Sequence, residues 1–224
     1  MHHSTSNDSG QCDLARTGRG ISSNMRRYAA DDCLLDSFRN ALSRPGTTCL
    51  EIRDQGCIWL DGDSGRYRAE IDNPSEFFSM PASALEVSCQ ATSHADWPAR
   101  PVDELLYQSA WYGPSGALLN ECQPFDVIEL LCWPNFTRLP HTRHVLPLSS
   151  LLTRRPTSLS FAYRMLRIPE NDALRFYSAV TAAGYVRVIS SQPKAGAGSR
   201  PPEATEAPGS GSFWSRLFER IAGL

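Results

Sequence analysis

The chain has 224 residues, of which 41% are hydrophobic and 21% are charged, a globular composition that suits one large or two small domains. It contains no run of about 18 apolar residues, and its first residues lack the apolar stretch of a secretion signal. Seven scattered cysteines without a CxxC pair argue against zinc and for reduced thiols. We therefore expect a cytoplasmic protein without a transmembrane segment, metal or cofactor.

Charge is divided unevenly along the chain. Residues 1–137 hold 10 Arg against 19 Asp and Glu, a net charge of −9. Residues 138–190 hold 8 Arg against only Glu170 and Asp172, a net charge of +6. A basic segment attached to an acidic one predicts either a bound anion or docking of the two segments on each other.

The acidic part begins with residues 1–24, which are polar, rich in Ser and Gly, and predicted to be disordered. Apolar residues at helical spacing then predict a helix over 27–42, ended by Arg44-Pro45-Gly46. Beyond it, alternation and hairpin turns predict a meander of antiparallel strands. These strands are residues 49–53, 57–60, 66–71 and 84–89.

A short helix at 102–112 and an apolar run of strand length at 125–133 follow the meander. Residues 25–137 are therefore interpreted as one α+β domain, made of a small N-terminal helix and an antiparallel meander.

Residues 138–190 are predicted to form a compact basic module. Helical spacing predicts a first helix from Val145 to the stop at Arg154-Arg155-Pro156. Thr157 or Ser158 caps a second helix. A third helix runs from Pro169 to Gly184, where glycine suits the C-terminal cap, and a strand follows at once over 185–189.

Three short helices followed by a strand resemble the winged helix-turn-helix family over residues 145–189. A generic three-helix bundle is the alternative interpretation. The sequence departs from the winged-helix pattern at one point, because only one strand follows the third helix. The second strand of the wing is therefore missing or comes from elsewhere in the chain.

The chain ends in a linker and an amphipathic segment. Residues 191–212 consist mainly of Ser, Pro, Ala, Gly and Glu, as in a flexible linker. Residues 213–224 place their apolar side chains on one helical face, and an isolated helix needs about 12–15 residues for stability. We expect this face to dock in a groove of a partner protein, with the chain's own body or a membrane surface as alternatives. The predicted partner-binding residues are Phe213, Trp214, Leu217, Phe218, Ile221 and Leu224.

Motifs of known enzymes are weak in this chain. Gly62-Asp63-Ser64-Gly65 resembles the nucleophile tetrapeptide of chymotrypsin-like proteases, but Arg66-Tyr67 follows where that family has Gly-Pro, so a hairpin turn is the better interpretation. His141 and His144 lack a neighbouring carboxylate or cysteine to complete a metal site. No P-loop, GxGxxG or paired-carboxylate motif occurs, so we expect a binding protein rather than an enzyme.

The segment from Trp133 to Arg143 is the strongest candidate for a ligand site. It combines two aromatic residues, two arginines and two prolines at the junction of the acidic and basic parts. Arginine offers a fork to phosphate and a face for stacking, and an aromatic ring adds a second stacking surface. The segment suits an anionic nucleotide second messenger of the cyclic dinucleotide type; a rigid linker whose aromatic residues seal the domain interface is the alternative. The predicted ligand-binding residues are Trp133, Phe136, Arg138, Arg143, Arg154 and Arg155.

These features predict a non-enzymatic regulatory or adaptor protein that binds a protein partner and such a nucleotide. A DNA-binding transcriptional regulator of winged-helix type is the alternative, because basic residues supply most non-specific affinity for DNA. Glu170 and Asp172 argue against it, since they would face phosphates at the start of the third helix. The DNA-binding residues of this alternative are Arg164, Arg167, Arg175 and Arg187.

Overall fold

The computed structural model of the chain describes residues 25–89 and 98–190. It begins with strand β1 (Arg26–Tyr28), a 3₁₀ turn (Ala30–Asp32) and helix α1 (Leu35–Leu42). The helix predicted over 27–42 is therefore wrong in its first half. β1 pairs in parallel with β7 (Ala117–Leu119), and this long-range pairing overrides the local helical spacing of the apolar residues.

A five-stranded antiparallel sheet follows, which confirms the predicted meander. Its order is β5-β2-β3-β4-β6, so consecutive strands β2, β3 and β4 are joined by hairpins. Leu50, Ile58 and Leu60 point to the inner face and are fully buried, as the alternating pattern requires. The strands are β2 (Thr47–Ile52), β3 (Gly56–Asp61), β4 (Arg66–Ile71), β5 (Leu85–Cys89) and β6 (Arg100–Pro101).

Helices α1 and α3 (Val102–Trp111) pack against this sheet, and a further helix packs against α3. Helix α2 (Pro74–Ser79) was not predicted, although Asn73 caps it through its side chain and a proline stands in its first turn. Helix α3 (Val102–Trp111) confirms the predicted helix at 102–112. α3 is buried on nearly every side, including its polar residues Glu104 and Gln108.

The basic part contains the three helices and the strand that the sequence predicts. They are α4 (Val145–Arg154), α5 (Leu159–Met165), α6 (Glu170–Ala182) and β10 (Val186–Ser190), with the short strand β9 (Thr157–Ser158) before α5. The apolar run at 125–133 forms strand β8 (Val127–Leu130). β8 lies between β10 and β9 and pairs antiparallel with both.

One hydrophobic core extends through both parts of the described chain. Its largest members include Phe38 from α1, Tyr107 from α3, and Phe176 and Tyr177 from α6. Helix α6 packs mainly against α3, so the two parts share a buried interface. The described ranges form a mixed α+β protein with six α-helices, and none of these helices is long and apolar enough to cross a membrane.

Candidate functional site

The turn that follows β8 carries an exposed row of aromatic rings, formed by Trp133, Phe136 and His141. The ring of Phe136 meets Trp133 edge-on with centroids 6.2 Å apart and lies 5.2 Å from the imidazole of His141. Phe136 packs against the core, whereas Trp133 is 49% exposed. An interface-sealing role thus fits Phe136 but not Trp133. We call these three residues the aromatic row.

Two contacts hold this turn on helix α3. Nη1 of Arg138 lies 3.5 Å from Oε1 of Glu104, whose side chain is only 5% exposed, while about half of the arginine side chain faces solvent. The hydroxyl of Tyr107 donates to the carbonyl oxygen of Pro140 at 3.2 Å. Arg138 is therefore fixed beside the aromatic row while most of its guanidinium donors stay available.

Further contacts join the same turn to helix α6. Oδ2 of Asp172 accepts a hydrogen bond from the hydroxyl of Thr142 at 3.0 Å and lies 2.6 Å from Nδ1 of His144. Nε of Arg143 donates to Nε2 of His144 at 3.2 Å, and the Arg143 side chain is exposed. The carboxylate of Asp172 is thus hydrogen-bonded within the protein, and Arg143 lies at the end of the turn.

Arg154 and Arg155 lie away from this surface. Arg143 precedes the first turn of α4, whereas Arg154 ends the helix and Arg155 follows it. A rise of 1.5 Å per residue separates the two ends of α4 by roughly 14 Å. The structure brings together Trp133, Phe136, Arg138 and Arg143 of the predicted ligand set, but not the last two arginines.

The arginines of the DNA-binding alternative are scattered over several surfaces. Arg175 extends over the ring of Trp111 on α3 at 5.6 Å, and Arg187 pairs with Glu129 on β8. Arg164 lies in the last turn of α5 and Arg167 lies just after that helix, and both are exposed. No single face of α6 presents these four side chains.

Helix α6 itself is a core helix rather than a free recognition helix. From Ala173 onward most of its residues are buried, because it packs against α3, α4 and α5. Its first turn is exposed, but Glu170 accepts a hydrogen bond from the hydroxyl of Tyr163 at 3.2 Å. The two acids that argue against DNA therefore have partners inside the protein.

The predicted partner-binding helix at 213–224, the linker at 191–212 and the N-terminal residues 1–24 lie outside the described residues. Among the residues that the structure describes, no group of three or more His, Cys, Asp or Glu side chains could hold a metal ion.

Sequence reasoning missed a pocket of about 240 Å³ between β4, α2 and α3. We call it the β4 pocket. Apolar groups form most of its wall, and three polar side chains lie in it: Tyr67, Arg100 and Gln108. The sequence predicted only a short helix at 102–112 and assigned no role to its polar residues. The apolar side chains that line the pocket include Ala69, Ile71 and Phe78.

The polar residues of the β4 pocket are mutually connected. Nε2 of Gln108 donates to the hydroxyl oxygen of Tyr67 at 3.3 Å and to the backbone oxygen of Glu104 at 3.2 Å. Burial raises the pKa of the Tyr67 hydroxyl, while a hydrogen bond from Arg100 lowers it. Helix α3 thus contacts the turn of the aromatic row through Glu104 and Tyr107 and lines the β4 pocket through Gln108.

No protein-family model, curated protein or solved structure matches this chain. Function must therefore be inferred from the geometry of the chain's own residues.

Proposed function

We propose that the protein is a non-enzymatic regulatory protein that binds an anionic nucleotide of the cyclic dinucleotide type on the aromatic row. The observation that carries this proposal is the half-exposed indole of Trp133, on a turn that also holds Arg138 and Arg143. An exposed indole offers a stacking face to a base, and arginine forks offer paired donors to phosphate.

Preorganisation supports the same proposal. Contacts with Glu104 and Tyr107 on α3 and with Asp172 on α6 fix the turn before any ligand arrives. Binding therefore loses little conformational entropy at this surface.

Isothermal titration with cyclic dinucleotides tests this proposal on the full chain. We expect Trp133→Ala to abolish binding and Arg138→Gln to weaken it at least about tenfold, the effect of losing about 1.4 kcal/mol. Arg154→Gln is the matched control and should bind as the wild type does, because Arg154 lies at the other end of α4. Absence of binding to every cyclic dinucleotide, or equal loss in the control, would disprove the site.

We infer further that α4, α5 and α6 with strands β8, β9 and β10 form a winged-helix-like module used for protein contact. The strand order supports this, since β9 lies between the first two helices and β10 follows the third. The second strand that the sequence lacked after α6 is supplied by β8, from before the module. The burial of α6 against α3 favours contact with a protein over reading of a DNA groove.

The partner is proposed to bind the amphipathic segment at 213–224. Its apolar residues need a covering surface, and helix-in-groove docking uses anchors at this spacing. Deletion of 213–224 should abolish recovery of a co-purifying partner without lowering the melting temperature of the body. A drop in that temperature would instead mean that the segment packs on its own chain.

The DNA-binding alternative is tested by fluorescence anisotropy with random duplex DNA. Non-specific binding through phosphates is strongest at low salt, so measurement at about 50 mM salt gives it every advantage. We expect that the wild type and the double variant Arg164→Ala, Arg175→Ala do not differ in DNA binding. Salt-dependent binding that the double variant lacks would favour the DNA-binding alternative over the adaptor proposal.

A further inference from the structure

We propose that the β4 pocket binds a small aromatic monocarboxylate. This site is separate from the aromatic row and does not depend on the function proposed above. Its volume of about 240 Å³ has room for roughly eight water molecules at 30 Å³ each. That is the size of one substituted ring rather than of a nucleotide.

Most of the residues that line the pocket are apolar. Phe78 is fully buried beneath it and stacks on Tyr112, with ring centroids 6.0 Å apart and an angle of 9° between the ring planes. Ile71 and Ala69 line the pocket from β4, and Pro74 begins the capped helix α2. A flat apolar ligand gains most from walls that do not have to rearrange.

The polar groups of the pocket meet at the hydroxyl of Tyr67. Its oxygen accepts a hydrogen bond from Nε2 of Gln108 at 3.3 Å, and Tyr67 is only 2% exposed. A hydroxyl that accepts one hydrogen bond can also donate its own hydrogen. The carboxylate of a bound ligand supplies an acceptor for that hydrogen.

The charge of the pocket favours a ligand with one negative charge. The exposed guanidinium of Arg100 lies at the pocket and can pair with a carboxylate in the fork geometry. One negative charge on the ligand is balanced by Arg100. The second charge of a phosphate monoester would find no further cation among the described residues that line the pocket.

The rim that carries Arg100 is held in place by backbone contacts. Arg100 pairs with Tyr67 in the β4–β6 ladder, and the guanidinium of Arg66 donates to the carbonyl oxygen of Ala99 at 2.6 Å. The backbone of Val102 donates to the oxygen of Gly65 at 3.1 Å. Arg100 can therefore be replaced without loss of the strand that carries it.

Titration of the full chain with benzoate, 4-hydroxybenzoate and phenylacetate tests this proposal. Ligand-observed NMR and calorimetry measure the binding. We expect dissociation constants of about 1 mM or below, since one ring and one charge-assisted contact supply roughly that affinity. Phenol lacks the charge and phenyl phosphate carries two charges, so both should bind at least about tenfold more weakly.

Three variants locate the binding. Arg100→Gln should weaken benzoate binding at least about tenfold, and Ala69→Trp should abolish it by filling the pocket from an exposed strand position. Arg53→Gln removes an exposed arginine elsewhere on the sheet and should change nothing. The melting temperature of each variant shows that it is folded.

Four outcomes would overturn the proposal. The first is that none of the three carboxylates binds at concentrations up to about 10 mM. The second is that phenyl phosphate binds as well as benzoate. The remaining two are that Ala69→Trp binds as the wild type does, or that Arg53→Gln weakens binding as much as Arg100→Gln.

Discussion

Glu104 and Arg138 form an ion pair across the surface of helix α3, with one partner buried and the other half in solvent. The carboxylate on α3 lies 3.5 Å from the guanidinium on the turn of the aromatic row. The pair connects the acidic and basic parts of the chain directly, and it makes Arg138 a structural residue as well as a candidate ligand.

Arg138→Ala should lower the free energy of unfolding by about 1–3 kcal/mol, because it leaves the buried carboxylate of Glu104 without its partner. The exposure of the arginine limits the loss to that range. Arg143→Ala should change the free energy by less than about 0.5 kcal/mol, since it removes an exposed side chain. Urea denaturation followed by circular dichroism measures both. Equal effects of the two variants would contradict the structural role of Arg138.

A second buried contact links α6 to the loop before β8. The hydroxyl of Tyr177 donates to Oδ2 of Asp126 at 2.9 Å, and both side chains are buried. Tyr177→Phe should cost about 1–3 kcal/mol, because the carboxylate loses a donor in a site that water does not reach. Tyr163→Phe is the matched control. Its hydroxyl bonds the exposed residue Glu170, and its loss should cost about 0.5 kcal/mol. The same urea experiment distinguishes them, and a smaller effect at Tyr177 would refute this ranking.

The hairpin between β2 and β3 depends on a glycine. Gly56 has a φ of +123°, and a Cβ at this position would lie 2.1 Å from the carbonyl oxygen of Glu70 on β4. Gly56→Ala should therefore lower the free energy of unfolding by more than about 2 kcal/mol through strain. Gly65 has a φ of +64° with open space around it, so Gly65→Ala should cost only about 1 kcal/mol. Thermal unfolding of the two variants checks the order, and a milder effect at Gly56 would contradict the close approach of β4.

Stability should fall in alkaline solution, in part because of Cys122. Burial raises the pKa of the Cys122 thiol to about 12, whereas an unfolded cysteine has a pKa of about 8.5. As the pH rises above the unfolded value, the unfolded state loses its proton first, so the free energy of unfolding decreases until the folded pKa is reached. Below the unfolded pKa the thiol is protonated in both states, and its full contribution to the free energy of unfolding is present.

Cys122→Ala should make that decrease shallower by up to about 1.4 kcal/mol per pH unit, the value for one proton. Urea midpoints of the wild type and the variant between pH 7 and about 10.5 give the two slopes. Identical slopes would mean that the folded protein does not suppress ionisation of this thiol.

Local patterns in the sequence predicted most of the helices and the strands of the meander. Alternation gave the strands β2 to β4, and helical spacing with Gly184 gave the helix that ends near it. Tyr28 shows where such reasoning stops. It has the spacing of a helical residue, but pairing of β1 with β7, far away in the chain, makes it a strand residue. Long-range pairing of short strands leaves no periodic signal within either strand.

The candidate site was also predicted only in part. The turn from Trp133 to Arg143 was recognisable because its unusual residues are adjacent in sequence, and the structure keeps them together. Arg154 was grouped with them on charge alone, and the length of α4 separates it. Glu104 and Gln108 were not recognised, because a helix covered on both faces buries polar residues that an amphipathic helix would expose.

Strand β8 limits where this chain can be divided without loss of strand pairing. It comes before residue 138, yet β9 and β10 pair with it and not with each other. A fragment of residues 138–190 would leave these two strands about 10 Å apart, twice the spacing of neighbouring strands, with the middle position empty. The natural complement of such a fragment is a piece that carries residues 125–133. A cut at residue 137 therefore separates β8 from both strands that pair with it.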